Sequence, residues 1–206
     1  MSIIAFVTVA CHDTDAALAP VHGEALLTHT VRGLLGTPEV GLVVVAAPER
    51  CVGPFSEALS GLRCRIVPGL VRDALSSGEI PPGSILLVHD ALRAFVPAVT
   101  IRDVIDAVRA GAQVVVPVLP MADTVKVTEA GLITGTEDRS HLRTAQTPIG
   151  YTRDAFLASA DPGLADAVAS GAATVPGHPD AMRVTSEFEL SLAEAIAAAP
   201  TIEETL

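Results

Sequence analysis

The sequence predicts an α/β domain built on a doubly wound, mostly parallel sheet with an inserted antiparallel β-arm. Three observations carry that expectation. Five apolar runs of strand length alternate with helical stretches across the first 120 residues, the pattern of strands laid side by side with helices crossing over both faces. The runs are continuously apolar, as expected of strands covered on both sides. After residue 120 the rhythm breaks into a β-branched stretch with a Glu-Ala-Gly turn, which fits a hairpin better than another crossover unit.

In order along the chain, IIAFVTV (3–9) is the first strand. GEALLTHTVRGLLG (23–36) reads as a helix, with Leu26, Leu27, Val31, Leu34 and Leu35 as its apolar stripe and Gly36 closing it. VGLVVVAAP (40–48) is the second strand, a weaker helix lies near 54–61, and CRIVPG (64–69) is a short third strand. Residues 70–78 read as helical and EIPPG (79–83) as a turn. SILLVHD (84–90) is the fourth strand and AQVVVPVLP (112–120) the fifth. Between them PAVTIRDVIDAVRAG (97–111) is a helix, with Pro97 early and Gly111 just past its end. DTVKVTEAGLITGTEDR (123–139) forms the hairpin of an arm spanning about 121–146, with Thr124, Lys126 and Thr128 on one face. Helices follow near 152–160, 163–170 and 186–199. No repeat or linker divides the chain, so residues 1–206 are expected to form a single domain.

Composition narrows the function classes. Half of the 206 residues are hydrophobic but only 3% are aromatic, so the core is built from Val, Leu, Ile and Ala. The net charge of −11 argues against a nucleic-acid or membrane-surface partner. An anionic ligand would need a local cationic pocket. Three cysteines, Cys11, Cys51 and Cys64, match no disulfide framework or zinc motif. The N-terminus lacks a cationic n-region, and no apolar stretch approaches the ~20 residues of a membrane span. A cytoplasmic protein is expected.

Chemistry concentrates at the end of the fourth strand. The run Ile85–Val88 stops at His89-Asp90, and Arg93 follows three residues later. Open α/β sheets bind ligands beyond the carboxyl ends of their strands. His89-Asp90 is therefore either part of a metal and phosphate site or a polar strand end whose aspartate caps its turn.

Several segments together bear a resemblance to a known family. GEALLTHTVRGLL, LLVHDALR, VVVPVLPMADTVK, GLITGTEDRSHLRTAQTP and MRVTSEFELSLAEA occur in this order. Within them lie HDA-x-R, D-T-x-K and D-R-x-x-L-x-x-x-Q-T-P. The set resembles the methylerythritol-phosphate cytidylyltransferases of the non-mevalonate isoprenoid pathway, over most of 23–150 and again near 178–198. The resemblance implies a Rossmann-like sheet of nucleotidyltransferase type and a homodimer joined through the β-arm. The implied reaction couples CTP to methylerythritol phosphate with Mg²⁺ and releases pyrophosphate. It also implies that Asp90 serves metal and substrate and that Arg93 stands beside it. Thr124 and Arg139 match arm residues that reach the substrate phosphate held by the other subunit, and Thr147 matches a substrate-contacting threonine. Arg183 stands where the family usually has lysine, a planar fork in place of a compact ammonium.

Other features depart from the family pattern. Members follow the first strand with a Gly-rich loop, an arginine and a Pro-Lys, whose backbone N–H groups and cations hold the CTP triphosphate. Here the stretch is VACHDTDAALAPVHGEA, with no glycine before Gly23 and with Asp13 and Asp15 in place of cations. The Gly-Gly-x-x-Arg-x-x-Ser-Val motif is reduced to VPGLVRDALSSG (67–78), and an acidic Thr-Asp segment after the QTP helix is missing. Each lost oxyanion donor costs roughly 10²–10³ in rate. The expectation is a divergent member with a degraded CTP half and reduced or lost activity. The alternative is a non-catalytic dimer that binds a small phosphorylated ligand or a partner protein.

Overall fold

The computed structural model describes residues 2–71 and 79–199. The elements are β1 (Ile3–Thr8), α1 (Thr14–Ala17), β2 (Pro20–Val21), β3 (Glu24–Ala25), α2 (Leu26–Leu35), β4 (Leu42–Ala47), α3 (Val52–Ala58) and β5 (Cys64–Pro68). They continue with β6 (Ile85–Asp90), α4 (Ala98–Arg109), β7 (Val114–Pro120), β8 (Lys126–Glu129), β9 (Leu132–Thr136), β10 (Arg143–Ala145) and β11 (Ile149–Thr152). The last are α5 (Arg153–Ala158), α6 (Leu164–Ala169), β12 (Ala173–Pro176) and α7 (Glu187–Ala198). The helix expected over 70–78 lies largely outside the described residues.

Among the described residues the main sheet has eight strands, with β6, β1, β4 and β5 side by side and parallel. β11 runs antiparallel between β6 and β7, β10 pairs antiparallel with the far end of β7, and β12 pairs with β7 in parallel. The chain leaves β1 for β4 on one side and later returns to β6 on the other. The carboxyl end of β1 is therefore the point where connections reverse direction, the usual place for a ligand crevice.

Strand alternation divides the core in two. Ile3, Ala5, Val7, Val43, Val45, Ile85 and Leu87 point to the face covered by α2 and α4, where Leu26, Leu27, Val31, Leu34, Ile101, Val104 and Ile105 meet them. Ile4, Phe6, Val44, Leu86 and Val88 point the other way, onto Ile149, Tyr151, Phe156 and Ala167. There Phe6 and Phe156 stack with ring centroids 5.2 Å apart. Both faces being buried explains why the sequence shows unbroken apolar runs. Gly150 on β11 lets α4 come close: a Cβ there would lie 2.6 Å from Val104 Cγ1 and 3.0 Å from Val108 Cγ2.

The arm is a separate two-stranded sheet, β8 with β9. Ala130 and Gly131 both have positive φ, 48° and 82°, as the tight turns between twisted strands require. Leu132 and Ile133 are 71% and 68% exposed. Among the described residues no helix is long and apolar enough to cross a membrane.

Candidate functional site

The turn after β6 is built by its own side chains. Asp90 Oδ1 accepts from the Leu92 N–H at 3.0 Å, and the Arg93 N–H reaches the Asp90 carbonyl at 3.1 Å. Asp90 thus caps its turn with one oxygen and turns the other outward. Beneath it His89 is buried, 2% exposed. Its Nε2 lies 3.1 Å from the Arg93 carbonyl and its Nδ1 2.9 Å from Thr147 Oγ1. A carbonyl only accepts, so Nε2 carries the proton and Nδ1 accepts from the threonine hydroxyl. Thr147 Oγ1 in turn accepts the Asp90 N–H at 3.1 Å. Burial holds His89 down to about 4, helped by the charge of Arg93 and opposed by Asp90 and the Arg93 carbonyl. The ring is therefore neutral at physiological pH.

Arg183 reaches this edge from the segment preceding α7. Its Nε donates to Asp90 Oδ2 at 2.6 Å while another nitrogen of the same guanidinium donates to Asp13 Oδ2. Asp13 lies in the loop after β1, and its side chain is only 9% exposed. Burial opposes the charge on Arg183, but the two carboxylates outweigh it and raise its pKa. The same loop is fixed elsewhere, where Arg50 donates to the Cys11 carbonyl at 2.9 Å, and the turn between β2 and β3 is held by the His22 N–H donating to Glu194 on α7 at 3.1 Å.

A cavity of about 360 Å³ opens over this edge. Thr8, Asp13, Asp90, Thr147 and Arg183 line it, together with Gly69, Leu70, Val71, Asp161 and Leu164. A second cavity of about 440 Å³ lies beyond Arg183, against Arg93, Gln146, Asp123 at the base of the arm, and Thr185. Arg183 is shared by both. Arg93 is largely structural: it donates to the carbonyls of Ala181 at 2.6 Å and Ala145 at 3.4 Å. Its Nε is buried without a partner, and burial lowers its pKa.

Of the residues singled out from sequence, Asp90, Thr147 and Arg183 come together at the first cavity, and Arg93 meets Arg183 at the second. Thr124 and Arg139 lie exposed on the arm and outside both cavities; Arg139 donates to the Ala122 carbonyl at the arm's base. Lys126 pairs with Thr136 across the hairpin at 2.7 Å. Sequence reasoning missed the wall formed by residues 161–164. Tyr151 holds that wall, its hydroxyl within 3.0 Å of both the Gly163 carbonyl and the Gly163 N–H. The available signal was that Tyr151 is the only tyrosine in the chain.

The fold agrees with what the chain is similar to. The model of the family IspD, 2-C-methyl-D-erythritol 4-phosphate cytidylyltransferase, matches residues 10–199. The chain belongs to that family. It is 43% identical to the 2-C-methyl-D-erythritol 4-phosphate cytidylyltransferase of Saccharopolyspora erythraea, covering 96% of this chain and 100% of that one. It is 37% identical to the enzyme of that name from Nocardia farcinica, over 87% and 84% of the two chains. Among solved structures, a 4-diphosphocytidyl-2C-methyl-D-erythritol synthase superposes with a TM-score of 0.81 at 20% identity, covering 95% of this chain and 98% of that one. The cytidylyltransferase of Thermus thermophilus gives 0.73 at 27%, covering 97% and 100%.

The sequence resemblance leads to the expectation of a Mg²⁺ ion near Asp90. Such ions keep near-octahedral geometry and are held by one or two carboxylates, waters and substrate phosphates. Asp90 and Asp13 are the right kind of donor. However, Asp90 spends one oxygen on Leu92 and the other on Arg183, and Arg183 also takes Asp13. Among the described residues no group of three or more His, Cys, Asp or Glu is placed to hold a metal. As folded, the side chains do not fit the ion.

Proposed function

We propose that this family member is a degraded cytidylyltransferase, which transfers the cytidylyl group of CTP to methylerythritol phosphate slowly or not at all. One observation carries the reading: the charge on the nucleotide side of the crevice. The described residues lining the first cavity include three carboxylates, Asp13, Asp90 and Asp161, against the single guanidinium of Arg183, and that guanidinium is already paired. Nucleotidyl transfer asks the protein chiefly to position two anions and neutralise their charge. Here the loop after β1 presents a carboxylate where a triphosphate needs donors. Residues 72–78 hold one arginine and one aspartate, which add no net charge. Two missing cations and a missing cradle correspond to about 10⁴-fold in rate or more.

The second cavity supports retention of a small phosphorylated ligand. Arg93 and Arg183 line it together. In the homodimer we propose, the arm of the other subunit brings Thr124 and Arg139 to this side, and its exposed Leu132 and Ile133 are covered. The protein works in the cytoplasm, with no nucleic acid or membrane as partner. Pyrophosphate release from CTP and methylerythritol phosphate, assayed beside the Saccharopolyspora erythraea relative, tests the reading. The expected result is a rate lower by about 10⁴-fold or more, with methylerythritol phosphate alone raising the melting temperature. A comparable rate would refute it and favour an active enzyme, the reading supported by 43% identity over the whole of that relative.

A further inference from the structure

Two departures from the family pattern, Asp13 in the loop after β1 and arginine rather than lysine at 183, bond to each other. One guanidinium uses Nε for Asp90 and a terminal nitrogen for Asp13. We infer that Arg183 is the resident cation of the Asp90 site: it occupies the space between Asp13 and Asp90 and excludes a divalent metal from it. The shape of the side chain explains the choice. A guanidinium presents several N–H groups in one rigid plane and satisfies two carboxylates at once; an ammonium is a single point on a flexible stem. Arginine also stays charged under all working conditions. An anion bound in either cavity then meets no metal at this edge, and its binding is independent of Mg²⁺.

The clasp has a structural consequence as well. Residues 13 and 90 lie on either side of the reversal point at β1, and residue 183 comes from the far end of the chain. Arg183 therefore ties the N-terminal loop, the end of β6 and the approach to α7 into one edge. A metal can enter only by displacing it. This inference deepens the functional reading but is tested without nucleotide or turnover, so the two can fail separately.

The experiment titrates Mn²⁺ alone into the full chain and follows the free-ion signal by electron paramagnetic resonance. Wild-type protein is expected to take up no Mn²⁺ at millimolar concentrations. Arg183→Gln is expected to gain affinity by about tenfold or more, the effect of removing a positive charge from between two carboxylates in a half-buried site. Adding Asp13→Asn to that variant should remove the gain. Mn²⁺ should also raise the melting temperature of Arg183→Gln and leave that of wild type unmoved. Uptake by the wild type that disappears in Asp90→Asn would overturn the inference, and so would a folded Arg183→Gln protein that binds no better than wild type. If Arg183→Gln does not fold, the neutral Arg183→Met replaces it. Gain of Mn²⁺ binding in that variant supports the inference, and no gain overturns it.

Discussion

Acid should destabilise this protein through His89 before its carboxylates titrate. The ring is buried, donates to the Arg93 carbonyl and accepts from Thr147, and its pKa falls from 6.5 to about 4. In the unfolded chain it returns to about 6.5. Between these values the unfolded state binds a proton that the folded state refuses, so stability rises with pH. The contribution is fully present above pH 6.5 and is lost as pH falls towards 4. The difference between 6.5 and about 4 corresponds to about 3 kcal/mol in all, of which about 2 kcal/mol is lost between pH 7 and 5. Urea unfolding of wild type and His89→Gln across pH 5–7.5 isolates this contribution, because the remaining groups are common to both. The wild-type curve should fall more steeply by about 2 kcal/mol over that range. Parallel curves, or a His89 ring resonance titrating near 6.5 in the folded protein, would refute the argument.

Other expectations follow from the same structure. Thr147→Val removes the hydroxyl that serves both the His89 ring and the Asp90 N–H; it should cost about 2–4 kcal/mol in denaturant unfolding, while Thr147→Ser costs much less. Gly150→Ala forces a Cβ to within 2.6 Å of Val104 Cγ1 and should destabilise by about 1–3 kcal/mol; an unchanged midpoint would show that α4 yields freely. Replacing residues 123–138 by a short glycine linker should convert the proposed dimer to a monomer in sedimentation, and a dimer that survives the deletion would locate the interface elsewhere.

The parallel strands were legible because burial on both faces leaves no alternation to misread: Ile3–Val7, Val43–Ala47 and Ile85–Val88 are apolar throughout and buried throughout. The hairpin was legible from its turn. β11 and β12 were not. Each has four residues, and β11 carries a glycine that packing against α4 demands and that strand propensity disfavours. Within the site, His89-Asp90 was visible because it ends a strand, a position with chemical meaning in this fold class. Thr147 was visible through its motif, but not its bond to His89, because 58 residues separate them.

The clasp shows why reading residue by residue gives an incomplete account of this crevice. Taken alone, Asp13 is a carboxylate where the family resemblance implies a phosphate, and Arg183 is a conservative replacement of the lysine it implies. In the folded chain, 170 residues apart in sequence, they complete each other. Removing one partner of a fully buried pair costs about 3–5 kcal/mol, because the other charge stays behind uncompensated. The penalty here is smaller, since a third of the Arg183 side chain is open to water. It still falls on a loop that no glycine-rich cradle supports. Restoring a family-like loop without restoring lysine would leave Arg183 on Asp90 alone, and restoring lysine without the loop would leave Asp13 buried and only partly paired. If the triphosphate site is lost as proposed, the route back passes through two changes made together. On the proposed reading, a loss of activity would be held in place by the protein's own stability, a different condition from the absence of a few cations.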